Sequence, residues 1–325
     1  MNQSLNIEKL VYGGNGIGFD AGIPVFVPLT VPGDEIEYTI GAKHKNHIEG
    51  VLTKVRKSSN VRTIPKCKYF GRCGGCQWQH IDYSAQLLWK QLIVEEQLLR
   101  IGKIGNVNVL PTIPSPKVWG YRNRIRLHKD EKGRIGFYAL GTNEIVEIDE
   151  CLIAESFSTN SKEDEGFTQV NSYQNKNLQK EVASLVKNVG PSSILELYCG
   201  NGNLTFELLA LAEEITATDS SKESITLAIK KAGKRKRVKF LCKSAQATVR
   251  EFVRNKHKVD CLLLDPPRDG CKEILKGIER LRPKTIIYVS CNPSTLARDL
   301  NFMTGIGYKI ESVQPIDMFP QTYHI

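Results

Sequence analysis

Over residues 5–62 short apolar stretches are broken by glycine and proline: Gly13-Gly14-Asn15-Gly16, then residues 23–31 with Pro24 and Pro28, Pro32, residues 36–40, and residues 50–55. Strands this short, separated by turn chemistry, predict a small β-barrel. Residues 83–101 change period: Leu87, Leu88, Leu92, Ile93, Leu98 and Leu99 are spaced with charges between them, which predicts an amphipathic helix. In residues 119–128 cations alternate with non-cations, and on a strand Arg122, Arg124 and Arg126 would share one face. The second half has a helical pattern over residues 177–187 and short apolar runs at 193–197, 215–218, 259–264 and 286–289. Short buried strands separated by helical stretches predict an α/β fold, with chemistry in the loops at the strands' carboxyl ends.

Those loops carry distinctive residues. The first run enters Tyr198-Cys199-Gly200-Asn201-Gly202-Asn203, a glycine turn that a cofactor can approach closely, and the second ends on Asp219, placed to accept from ribose hydroxyls. The third glycine of dinucleotide-binding loops is missing, so adenosylmethionine suits this turn better than NAD. The third run leads to Asp265-Pro266-Pro267-Arg268, an acid held rigid by two prolines. The last run ends in Ser290-Cys291-Asn292-Pro293, which delivers a cysteine to the position of a nucleophile; a packed, inert thiol is the alternative.

Nine cysteines without a signal-peptide pattern argue for a reducing compartment, and no apolar run approaches a membrane span. The expectation is a soluble cytoplasmic protein, monomeric, with no membrane partner. Cys67, Cys73 and Cys76 are spaced C-x5-C-x2-C, with Cys151 far downstream. That lopsided set favours an iron-sulfur cluster; zinc is the runner-up, and no metal at all is the third reading. A net charge of +10 suggests a polyanionic partner. On the amino-terminal strands Lys43, Lys45, Lys54, Arg56, Lys57 and Arg62 supply cations for nucleic acid.

Taken together, and in this order, the motifs resemble the 5-methyluridine RNA methyltransferases, class I adenosylmethionine-dependent enzymes of tRNA and ribosomal RNA. The resemblance spans nearly the whole chain and includes Phe167-Thr168-Gln169-Val170-Asn171. It implies three parts: a TRAM-type (OB-like) barrel over residues 1–60, a cysteine-cluster domain over 61–160, and a Rossmann-like methyltransferase domain over 161–325. It implies a [4Fe-4S] cluster on Cys67, Cys73, Cys76 and Cys151. Cys291 would add to carbon 6 of a uridine, because carbon 5 is too weak a nucleophile to take a methyl group unaided. Gln169, Tyr198, Asn203, Asp219 and Asp265 would line the methyl donor, with Ser244 joining them less securely. Phe167 would stack on the flipped uracil, Arg122, Arg124 and Arg126 would meet RNA phosphate, and Arg268 would steady the enolate or favour the thiolate.

Two departures stand out. Relatives carry a glutamate base after the pair that His324-Ile325 resembles, then a final strand; the sequence as given ends at Ile325, so the expectation is a stalled covalent adduct, with His324 a conceivable substitute base. Cys151 and Gln169 lie close together where relatives carry a longer insert, which implies a reduced RNA surface. Two other readings remain: a catalytically inert RNA-binding protein, and an N-methylating enzyme, whose Asp-Pro-Pro strand end an aromatic residue would follow in place of Arg268.

Overall fold

The structure, a computed structural model, describes residues 3–157 and 169–325. Strands β1 (Gln3–Asn6), β2 (Lys9–Leu10), β3 (Gly16–Asp20), β4 (Ile23–Val27), β5 (Glu35–Lys43) and β6 (Ile48–Lys57) form a six-stranded sheet in the order β1-β5-β6-β4-β3-β2. All pairs are antiparallel except β4 with β6. Leu5, Val25, Val27, Ile36, Tyr38 and Ile48 face a common core. The sheet curls until β3 meets β1, close enough that a Cβ on Gly18 would lie 2.1 Å from the Asn6 carbonyl oxygen. Only glycine fits there.

The structure reassigns several cations of this sheet. Asp34, wholly buried, accepts from both Nε and Nη2 of Arg62 at 2.6–3.1 Å. Burial alone would raise its carboxyl pKa, but bonds from Arg62, Ser59 and Val31 hold it below the ordinary value. Arg62 therefore closes the fold. Arg56 and Lys57 pair with Glu37 and Glu35 on the neighbouring strand.

Helix α1 (Tyr83–Arg100) starts where the Asp82 carboxylate accepts from the Ser84 N–H at 2.9 Å. Its buried face carries Ala85, Gln86, Ile93, Val94 and Leu98, and also Lys90. Beyond it lies a three-stranded antiparallel sheet of β7 (His128–Lys129), β8 (Ile135–Tyr138) and β9 (Ile145–Glu147). The strand expected over residues 122–126 does not form. Tyr121 is fully buried with its hydroxyl on the Pro320 carbonyl (3.0 Å), and Arg122 is tied at its backbone to Ile153 and Glu155. These ties hold residues 120–122 against the Cys151 loop, and the arginines do not form a strand face.

Helix α2 (Ser172–Val189), capped by Asn171 and ended by left-handed Gly190, leads into the parallel sheet. Its strands are β10 (Ser193–Leu197), β11 (Glu214–Asp219), β12 (Val238–Cys242), β13 (Cys261–Leu264) and β14 (Thr285–Tyr288), in the order β12-β11-β10-β13-β14. Helices α3 (Lys222–Ala232), α4 (Ala245–Arg254) and α5 (Leu275–Leu281) lie on the crossovers, and α6 (Pro293–Gly305) follows β14. Because both faces of the sheet are covered, β13 is apolar at every position, and its four residues are fully buried. Each such leucine contributes about 1.5–3 kcal/mol of burial free energy. The chain leaves β10 toward β11 on one side and reaches β13 on the other, so a crevice opens at their carboxyl ends. Among the described residues no helix is long and apolar enough to cross a membrane.

Candidate active site

The crevice collects residues from five loops. Leu197 of β10 is in register with Leu264 of β13, and Leu264 with Tyr288 of β14. Asp265 and Cys291 thus leave neighbouring parallel strands on the same side. Burial raises the Asp265 carboxyl to about 6. Asn292 caps α6 by accepting from the Ser294 N–H (3.1 Å), and Pro293 opens the helix, so Cys291 stands just before a helix amino terminus. The Arg268 carbonyl accepts from Asn292 Nδ2 at 3.2 Å and Thr295 Oγ1 at 3.0 Å, which pins the Asp-Pro-Pro-Arg turn to the cysteine turn. Burial raises the Cys291 thiol pKa; Arg268, by charge and by hydrogen bond, pulls it back, and Asp265 pushes it up again. The residue remains exposed at the surface.

The glycine turn lies across the crevice. Tyr198 has φ 65°, a left-handed backbone unusual for an aromatic residue, and its hydroxyl meets Glu273 at 2.5 Å. Gly200 and Gly202 are also left-handed, and nothing stands within 4 Å of where a Gly200 Cβ would be. Asp219 spans the turn: one carboxylate oxygen accepts from the Gly200 N–H (2.9 Å), the other from the Ser221 N–H (2.8 Å). Asn203 exchanges amide bonds with Asn175 at 2.8 and 2.9 Å and holds Gln179, so its side chain ties the turn to α2. Ser244 caps α4 through the Ala247 N–H. The Gln169 carbonyl accepts from Asn123. Phe167 lies outside the described residues.

Three site residues escape local sequence reasoning. Glu196, in the middle of β10, is buried beside Asp265, which with burial raises its pKa to about 8, and its Oε2 has no partner. An acid inside an apolar strand was the available signal. Tyr12, from the Gly-Gly turn of the amino-terminal sheet, packs edge-on against Tyr323 (5.7 Å) and feels the charges of Arg268 and Cys291. That turn is buttoned down by Trp78 Nε1 donating to the Gly14 carbonyl (3.0 Å). Tyr323 and its neighbour His324 belong to the segment 317–325, which Lys90 holds from within: its Nζ donates to Asp317 Oδ1 (2.5 Å), the Phe319 carbonyl (3.1 Å) and the His324 carbonyl (2.7 Å). Burial, with Arg268, Lys90 and Arg122 nearby, lowers the His324 imidazole to about 4, so it is neutral at pH 7.

A second site lies in the central region. Cys67, Cys73, Cys76 and Cys151 line one cavity of about 230 Å³, with Phe137, Leu152 and Ile153 as apolar walls and Arg122 and Arg126 at its edge. Burial raises Cys73, Cys76 and Cys151, Cys76 to about 12, and each feels the neighbouring thiols. Arg122 Nε is buried there without a partner.

Residues 142–325, more than half of the chain, match the family model described as tRNA (uracil-5-)-methyltransferase. The chain belongs to this family. It is therefore an enzyme of the RNA methyltransferase class, with a Rossmann-like parallel sheet behind an amino-terminal, mostly antiparallel one. An RNA methyltransferase of Bdellovibrio bacteriovorus is 34% identical over 369 positions, covering 99% of this chain and 92% of that one. The alignment is longer than this chain, so that relative carries residues with no counterpart here. An RNA methyltransferase of Aquifex aeolicus is 30% identical, covering 99% and 96%. The crystal structure of Pyrococcus abyssi tRNA (uracil-54, C5)-methyltransferase with S-adenosyl-L-homocysteine superposes with a TM-score of 0.73 at 25% identity, covering 99% and 97%.

Proposed function

We propose that this methyltransferase transfers a methyl group from adenosylmethionine to carbon 5 of a uridine in tRNA or ribosomal RNA through a transient Cys291–carbon 6 bond. The observation that carries this reading is the meeting of Cys291, Asp265 and Arg268 at the carboxyl ends of two adjacent parallel strands, beside the glycine turn. The turn fits the methyl donor: Gly200 leaves open space, and the strand-end acid Asp219 fixes the loop. Tyr198, Gln169, Asn203, Asp219 and Asp265 would surround the donor, with Ser244 acting from the α4 cap. When bound, adenosylmethionine supplies an electrophilic methyl on a sulfonium.

The chain's own part is to make carbon 5 nucleophilic. Arg268 and the α6 amino terminus favour the thiolate of Cys291, which adds to carbon 6 and places an electron pair on the enolate of the ring. Arg268 would also donate to the developing oxyanion. Asp265, with a pKa near 6, is poised to hand a proton on or take one back near neutral pH. Once the methyl group has passed from the sulfonium to carbon 5, the Asp265 carboxylate would take the carbon 5 proton, and the electron pair of that C–H bond would expel the Cys291 sulfur and restore the carbon 5–carbon 6 double bond. Phe167 would stack on the uracil.

The central cavity supports a [4Fe-4S] cluster on Cys67, Cys73, Cys76 and Cys151. The unpartnered Arg122 Nε beside the four thiols fits an anionic group in this cavity, and the uneven C-x5-C-x2-C set with a remote fourth cysteine favours a cluster over zinc. With it, the amino-terminal sheet reads as a TRAM-type barrel that, with Lys43, Lys45 and Lys54, meets RNA, while Arg122 and Arg126 serve the cavity and Arg124 the RNA side.

The test is incubation with 5-fluorouridine-substituted tRNA and ribosomal RNA fragments plus adenosylmethionine, followed by denaturing electrophoresis and mass spectrometry. A cross-link at Cys291 is expected. Methylation on an exocyclic amine, or RNA binding without any adduct, would overturn the reading.

A further inference from the structure

The hairpin joining β5 and β6 turns through residues 44–47, closed by the His44 N–H donating to the His47 carbonyl at 2.9 Å. This turn brings both imidazoles to one side, stacked with centroids 4.3 Å apart and planes 12° apart. Phe26 of β4 packs edge-on against His47 at 5.4 Å and fixes that ring. Glu49, the second residue of β6, reaches back: its Oε1 lies 3.3 Å from His44 Nε2 and 4.0 Å from His47 Nε2. Two nitrogens and one carboxylate oxygen thus lie within 4.8 Å of one another, and with the imidazole planes parallel one ring must turn for both nitrogens to face a single ion.

We propose that His44, His47 and Glu49 form a binding site for a divalent transition-metal ion of the zinc class, separate from the four-thiol cavity and from the catalytic crevice. The donor set decides the class. Imidazole nitrogen with one carboxylate suits Zn²⁺, Co²⁺ or Ni²⁺, whereas Mg²⁺ and Ca²⁺ call for oxygen donors. Metal–nitrogen and metal–oxygen bonds of about 2.0–2.2 Å require the three atoms to draw together by roughly 1 Å. The side chains are 35–60% exposed, so rotation of His44 and Glu49 toward the Phe26-packed His47 supplies that movement. Three protein ligands leave a coordination position open to water or to a phosphate oxygen. The trio has little structural work otherwise: ion pairs this exposed contribute about 0–1 kcal/mol. Its removal should leave the fold intact, which makes the site separable by mutation.

The probe is Co²⁺ titrated into the full-length protein with its thiol site loaded. The wild type should take up one further equivalent, with weak visible bands of nitrogen and oxygen ligation and none of the intense near-ultraviolet absorption of cobalt–thiolate bonds. Zn²⁺ should displace it and Mg²⁺ should not. His44→Ala/His47→Ala should lose that equivalent while keeping the metal-free melting temperature, and Glu49→Gln should bind about tenfold or more weakly. Absence of the extra equivalent in the wild type, or unchanged stoichiometry in the double variant, would overturn the proposal.

Discussion

Cys291 and the four thiols of the central cavity are the same chemical group under opposite electrostatic management. Burial raises the pKa at both places. At Cys291 a guanidinium and a helix amino terminus oppose that rise, and the sulfur is left exposed to a substrate. In the cavity burial raises Cys73, Cys76 and Cys151, neighbouring thiols add to the rise, and Arg122 opposes it at Cys151 alone. A metal-bearing guest would supply the positive charge that makes all four anionic together. In the proposed function, the cysteine that would react and let go has the fixed cation Arg268 beside it, while the cysteines that would hold a cluster would take most of their charge compensation from the bound group.

Cys291→Ser would break the comparison most severely: adduct formation should disappear and methylation fall by about 10⁴-fold or more, read by denaturing gels and methyl incorporation. Arg268→Gln should slow adduct formation by about 10²-fold and move its pH profile to higher pH, since the cation that favours the thiolate is gone. If the profile stays put, Arg268 acts on the oxyanion alone. Asp265→Asn works in the opposite sense on the same sulfur, whose ionisation Asp265 resists. Its own folded pKa of about 6 lies above the ordinary carboxylate value, so the native state loses stability as pH rises from about 4 to 6. The variant should abolish turnover, lower the thiol pKa, and gain about 3 kcal/mol at pH 7 in urea unfolding. Arg122→Leu probes the other site: iron content should persist, but the cluster's reduction potential should fall as a cation beside it is lost, measured by spectroelectrochemistry.

The parallel sheet was legible because a strand covered on both faces has to be apolar at every position, as in Cys261-Leu-Leu-Leu264, and because glycine, proline or an acid ends each run. Its loops therefore carry Cys291, Asp265 and Asp219 at the carboxyl ends of the strands, where the pattern put them. Period alone misled at Arg122, Arg124 and Arg126, where fully buried Tyr121 and backbone ties to residues 153 and 155 override alternation. Counting cations misled at Arg62, whose partner Asp34 lies 28 residues upstream. Tyr12 against Tyr323 was out of reach for a related reason: a contact between opposite ends of a chain leaves no local pattern.

Lys90 belongs to α1, outside the stretch that matches the family model, yet its ammonium group is the hub for three acceptors in segment 317–325. Excising residues 142–325 as a free-standing fragment would remove Lys90 and Tyr83, both of which donate to the Asp317 carboxylate, and uncover the face on which α1 packs. The catalytic half is thus not a detachable module, and chimaeras of this enzyme should be joined upstream of Tyr83.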